Sequence, residues 1–192
     1  HDCYYVLMKA ISPRVIWQNA EGYCLDVSEM THLVGVASLK IEVTDSWSSL
    51  QDVWFIENQE LFDNVSWLPP EATGTLIYYA GNIHQVLLAW LAHQQRCHKL
   101  ILFPDYDGVG LSNYVRLYER VGQHAQFWLM PNWQQKLQEI GGRDLWIKNR
   151  PLFDASLIKL RQLGVVGEIW RLVELMQHSA LALEQETVFI DI

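Results

Sequence analysis

The sequence predicts an α/β domain: a mostly parallel four-stranded sheet, Rossmann-like and flanked by helices, with a small β-rich N-terminal lobe. Two observations carry this. Four short runs, "VWFI" (53–56), "TLIYYA" (75–80), "KLILF" (99–103) and "AQFWLM" (125–130), are continuously apolar rather than alternating, as strands covered on both faces are. Segments of helical period separate them, and such alternation implies parallel pairing through right-handed crossovers. Composition agrees, since 50% of the residues are hydrophobic, 19% are charged and nine are Trp, values of a folded core rather than a disordered chain.

The first fifty residues contain strand-like runs, "RVIWQ", "YCLDV" and "HLVGVASLKIEV", separated by Gly, Asn and Ser and lacking a helical period. They are expected to form the β-rich lobe, residues 1–50, ahead of the α/β domain over 51–192. His1 stands where an initiator Met would, without the pattern of a signal peptide, so the lobe is expected to end a preceding region of a longer polypeptide.

"LPPEATG" is a turn before the second strand. Between Asn82 and Gln95, Ile83, Val86, Leu87, Trp90 and Leu91 recur at helical spacing, the mark of a crossover helix. "GLSNYVRLYERVG" (110–122) predicts the next helix, with Gly122 as its stop. Pro131 is expected to open a helix running to Ile140 that "GGR" ends. Two more helices are expected, at about 154–163 and about 167–179.

No segment approaches the roughly 20 apolar residues of a membrane helix, which argues against a membrane partner. Three cysteines without C-x-x-C pairing indicate neither a disulfide framework nor a zinc site, and point to a reducing cytoplasm. The net charge of −8 argues against a wholly nucleic-acid-binding surface. Its distribution is uneven: ten acidic residues before residue 68 face only Lys9, Arg14 and Lys40, whereas residues 136–171 are predominantly basic. A polyanion would be met by the second half.

Polar residues that matter in such sheets gather at the carboxyl ends of the strands. Glu57 follows the first strand at once, and Asp105 and Asp107 follow the third. In a doubly wound order of 2-1-3-4 those two strands are neighbours, so the three carboxylates converge. Like charges that close raise one another's pKa unless a cation neutralises them, and oxygen ligands in a loop suit Mg²⁺ or Mn²⁺ better than zinc. Gly108 and Gly110 would let the backbone turn and approach a phosphate at the following helix, and Gly81 could do the same after the second strand.

"FIENQELF" and "LFPDYDGVGL" resemble the glutamate and D-x-D motifs of the TOPRIM domain, over about residues 50–190. The group most similar is the TOPRIM nuclease subunit of Wadjet-type anti-plasmid defence systems, although Pro104 stands where that group has Gly and Gly108 where it has Pro. The resemblance implies a Mg²⁺- or Mn²⁺-dependent endonuclease cutting a phosphodiester bond of DNA, with RNA left open. In it Glu57 is a general acid or base or a ligand, and Asp105 and Asp107 hold the metal. It adds Glu184 and Glu186, from "LEQE", at a second cation position. Arg143, Lys148 and Arg150 are the matching candidates for clamping the nucleic-acid backbone. A homodimer and condensin-like partner subunits are the protein partners it leaves open.

Two other readings stand beside it. "DYDGV" also resembles the phosphatase loop of the haloacid dehalogenase superfamily, although that loop closes the first strand and here two strands precede it. A TOPRIM-like fold kept as a non-catalytic binding or assembly module is the other. An EF-hand fails, because the twelfth residue from Asp105 is Arg116 rather than Glu. Tyr106 is expected to pack or line the site rather than attack, and the tryptophans to be core rather than a base-stacking platform.

Overall fold

The computed structural model describes residues 3–192. Its first part comprises strands β1 (Cys3–Ala10), β2 (Ile16–Gln18) and β3 (Cys24–Asp26), helix α1 (Val27–Val34) and strand β4 (Ala37–Glu42). Strand and helix then alternate through β5 (Val53–Ile56), α2 (Gln59–Asp63), β6 (Thr75–Tyr78), α3 (Gln85–His93), β7 (Leu100–Phe103), α4 (Gly108–Val121) and β8 (Ala125–Phe127). Helices α5 (Trp133–Ile140), α6 (Arg143–Gln162) and α7 (Ile169–Ser179) follow, before a closing 3-10 turn at Gln185–Phe189.

The four runs pair in parallel in the order β6-β5-β7-β8, the expected 2-1-3-4. All residues of β5 and β7 are buried, which is why these strands lack alternation. The sheet, however, has six strands rather than four. β1 pairs antiparallel with β6, and β4 antiparallel with β1. The segment before residue 50 is thus largely an extension of the same sheet, and only β2 and β3 form a separate two-stranded sheet. The physical reason is the β6 edge: its unpaired backbone groups are satisfied by β1, and an antiparallel strand at the margin of a parallel sheet is a common solution.

The same region contains a helix where strand was expected. Asp26 caps α1 by accepting from the Glu29 N–H at 2.9 Å, and Gly35 ends it at φ 84°, a left-handed conformation suited to glycine. The attachment to the α/β core is direct: Trp17 Nε1 donates to Thr75 Oγ1 at 2.9 Å and stacks against Trp90.

α6 is far longer than the 154–163 expected. It begins at Arg143 and runs through Pro151, although proline supplies no N–H for the helical ladder. Burial of Trp146, Asn149, Phe153, Leu157 and Leu160 on one face, packed against α4, offsets that loss. α5 starts at Trp133 rather than Pro131, after Asn132 turns through φ 57°. The tryptophans behave as core: Trp54, Trp67 and Trp128 form an edge-packed cluster with Phe103. Among the described residues, no helix is long and apolar enough to cross a membrane.

Candidate functional site

Phe103 lies directly beside Ile56 in the parallel register, so β5 and β7 finish level. Glu57 and Asp105 therefore emerge side by side. They line a cleft of about 290 Å³ together with Asn58, Gly81, Gln185 and Glu186, and among the described residues no Lys, Arg or His lines it.

The charges are poorly compensated. Burial pushes the Glu57 carboxyl up to about 8, with Asp105, Asp107 and Glu186 adding repulsion and only the Tyr79 hydroxyl opposing. Tyr79 donates a long hydrogen bond of 3.4 Å to Glu57 Oε2. Asp105 is pushed up to about 6, again mainly by burial, against the pull of the Gln185 backbone N–H, which donates to Asp105 Oδ1 at 2.8 Å.

Asp107 occupies a different position from the one expected. It is 3% exposed, caps α4 by accepting the Gly110 N–H at Oδ1 (2.8 Å), and accepts Asn149 Nδ2 at Oδ2 (2.6 Å). Burial raises its pKa, while those donors and Lys148 lower it. It acts on Glu57 and Asp105 through its charge but does not line the cleft.

The glycines divide likewise. A Cβ on Gly108 would meet the Asn149 carbonyl oxygen at 2.0 Å, and one on Gly110 the Asp105 carbonyl oxygen at 1.9 Å. Both are buried, and each permits a close backbone approach, of α4 to α6 and of α4 to its own entry loop. Gly81, at φ 75°, lines the cleft. The proximity of α6 accounts for a glycine at position 108.

Of the two late glutamates, Glu186 lines the cleft and accepts from Asn58 Nδ2, whereas Glu184 is exposed and outside it. Arg143, Lys148 and Arg150 are all exposed along α6, and Arg150 lies 3.7 Å from Asp154. Tyr106 is fully buried, its hydroxyl donating to the Trp128 carbonyl at 3.2 Å and accepting the Met130 N–H at 2.6 Å, so it packs.

Four contributors escaped the sequence reading: Asn58, Tyr79, Asn149 and Gln185. Asn58 caps α2 by accepting the Glu60 N–H, and its own N–H donates to Gln185 Oε1 at 3.3 Å. Asn149 had a signal, since it shares a helical face with Trp146 and Phe153, where a polar residue needs a partner. Gln185 had none beyond its place between Glu184 and Glu186, and Tyr79 had none.

Among the described residues, no three His, Cys, Asp or Glu side chains are already arranged to hold a metal ion. The donor set of the cleft nevertheless fits a hard divalent cation. Glu57, Asp105 and Glu186 supply oxygen, burial and mutual repulsion raise the pKa of Glu57 and Asp105, and among the described residues no basic side chain in the cleft neutralises them. A larger cavity of about 530 Å³ lies elsewhere, along β8 beneath Tyr114, Tyr118 and Val166, and holds no carboxylate pair.

No curated protein matches the chain. A family model described as a domain of unknown function (DUF7281) matches residues 15–191, nearly the whole length, and the chain belongs to that family.

Proposed function

We propose that this protein is a TOPRIM-type, metal-dependent nuclease that hydrolyses phosphodiester bonds of DNA. The observation that carries the reading is the meeting of Glu57 and Asp105 at the level ends of two adjacent parallel strands, joined by Glu186 from the far end of the chain, in a cleft that no cationic side chain of the described residues lines.

Glu57, Asp105 and Glu186 would hold Mg²⁺ or Mn²⁺, which would supply charge neutralisation at a phosphate oxygen and acidify bound water. The remaining work falls to the chain. Glu57, whose basicity burial and its acidic neighbours raise, would take the proton of the attacking water, and solvent would protonate the leaving 3′ oxygen. Tyr79 orients that carboxylate through its hydrogen bond to Oε2. Asp107 fixes the start of α4 and adds negative potential without touching substrate. Lys148 and Arg143, exposed on α6, face the polyanion, with Lys148 close enough to Asp107 to lower its pKa. Arg150, paired with Asp154, is a weaker backbone contact.

The test is Mn²⁺ titration by calorimetry, followed by incubation with supercoiled plasmid. Mn²⁺ binding with nicking that Glu57→Gln and Asp105→Asn abolish supports the reading, and an intact plasmid at saturating metal, with partner subunits supplied, sinks it. The second reading, a binding or assembly module without turnover, is favoured by Asp107, whose two oxygens are already committed to Gly110 and Asn149. Metal binding without cleavage is its signature.

A further inference from the structure

We infer that Lys136 is a positioning residue of the acidic cleft, holding in place the C-terminal strap that delivers Gln185 and Glu186 to it. This rests on the metal-site reading above. Lys136 lies on α5 and is 4% exposed, and its ammonium donates to three carbonyls of one segment: Thr187 at 2.6 Å, Val188 at 3.3 Å and Ile190 at 2.6 Å. A buried lysine carries a heavy desolvation cost unless its donors are used, and here all three can be.

The strap is fastened on both sides of the residues it delivers. Upstream, Leu183 exchanges two backbone hydrogen bonds with Tyr106, the residue between the two aspartates, and Ala182 does the same with Gly142. Downstream, Lys136 gathers the carbonyls of the closing turn. Between these anchors, the Gln185 N–H reaches Asp105, Gln185 Oε1 accepts from the Asn58 N–H, and Glu186 accepts from Asn58 Nδ2. Because Oε1 is the acceptor there, Gln185 Nε2 is fixed as the other end of the amide. It is buried without a completed hydrogen bond, close enough to Asp105 to favour its ionised form. Release of the downstream anchor would free the closing turn to fray, and with it the register that sets Gln185 and Glu186 against Asp105 and Asn58. Removal of such supporting contacts typically weakens metal affinity by about 10–100-fold.

Lys136→Met keeps the apolar stem and removes the donors, and Lys136→Arg restores charge and donors; Lys136→Gln serves should the Met variant not fold. Amide hydrogen exchange and Mn²⁺ titration are read on each. In Lys136→Met the Gln185 amide should exchange at least about tenfold faster while β5 and β7 stay protected, and Mn²⁺ should bind about tenfold more weakly. Arg should recover part of both, and in a Glu186→Gln background the Met substitution should cost much less Mn²⁺ affinity than in the wild type. Unchanged exchange at Gln185 overturns the positioning role, and a loosened strap with unchanged Mn²⁺ affinity overturns its link to the site. A wild-type chain that binds no Mn²⁺ refutes the metal reading, and the exchange result still decides whether Lys136 holds the strap.

Discussion

Asn149 donates its side-chain N–H to Asp107 Oδ2 at 2.6 Å, bridging α6 to the loop that ends β7. Both residues are buried, and the bond spans 42 positions of sequence. Removing it with Asn149→Leu leaves a buried carboxylate short of a donor. The expected loss is about 1–3 kcal/mol, measured by urea unfolding at pH 7, and less at pH 4, where Asp107 carries a proton more readily. An equal loss at both values would show that packing, not the hydrogen bond, matters at this position.

The acidic cleft makes metal-free stability depend on pH. Glu57 titrates near 8 in the folded protein against an ordinary 4.5, and Asp105 near 6 against 3.8. Between each pair of values the folded chain holds a proton that the unfolded chain has released. The contribution is therefore complete below about pH 4 and is lost as pH rises toward 8. Urea midpoints should fall over that interval. Glu57→Gln should flatten the fall and stabilise the metal-free protein at pH 8 by roughly 2 kcal/mol, after discounting for partial exposure.

Metal affinity should separate the two late glutamates. Glu186→Gln removes a carboxylate from the cleft and should weaken Mn²⁺ binding by about tenfold or more, whereas Glu184→Gln, exposed and outside it, should leave binding within about twofold. Calorimetric titration of both variants decides it, and the reverse order would reassign the site.

The glycines of "DGVG" should behave as packing residues. Gly108→Ala and Gly110→Ala each force a methyl against a backbone oxygen at 2.0 Å or less, and should cost about 2–4 kcal/mol in thermal or urea unfolding. Gly81→Ala meets no atom within 4 Å and bears only the strain of φ 75°, about 1–2 kcal/mol.

Arg96 ties the N-terminal extension to α3. It is 2% exposed, bonds the carbonyls of Val43, Asp45, Trp47 and Trp90, and stands over the Trp90 ring at 4.4 Å. Arg96→Ala strands those carbonyls and leaves Asp45 without its cationic partner, although the Trp90 indole still donates to it. A loss of about 3 kcal/mol is expected, or roughly 10 °C in Tm by differential scanning calorimetry. A melt within a few degrees of wild type would count against this attachment.

The contrast between "VWFI" and "CYYVLMKA" shows where the fold was legible. Strands buried on both faces announce themselves as continuous apolar runs, and the order that brings β5 beside β7 is that of a doubly wound sheet. β1 has a mixed burial pattern with Val6 and Met8 inward and Tyr5 outward, and its place is set by the β6 edge it covers, a partner far along the chain. α6 was foreshortened because Pro151 outweighs its neighbours in a local reading, whereas in the folded protein the packing on α4 outweighs the proline.

The sequence by itself determined the parallel core and the positions of Glu57 and Asp105, because strand termini and apolar periodicity are local properties. Only the tertiary structure decided the rest: that Asp107 caps a helix and bonds Asn149, that Gly108 and Gly110 admit α6 and the loop, and that Glu186 rather than Glu184 reaches the cleft. Each of those outcomes depends on which distant backbone or side chain arrives within hydrogen-bonding or van der Waals distance. No short-range pattern encodes that encounter, since it is settled by the packing of α4, α5, α6 and the C-terminal strap around one loop.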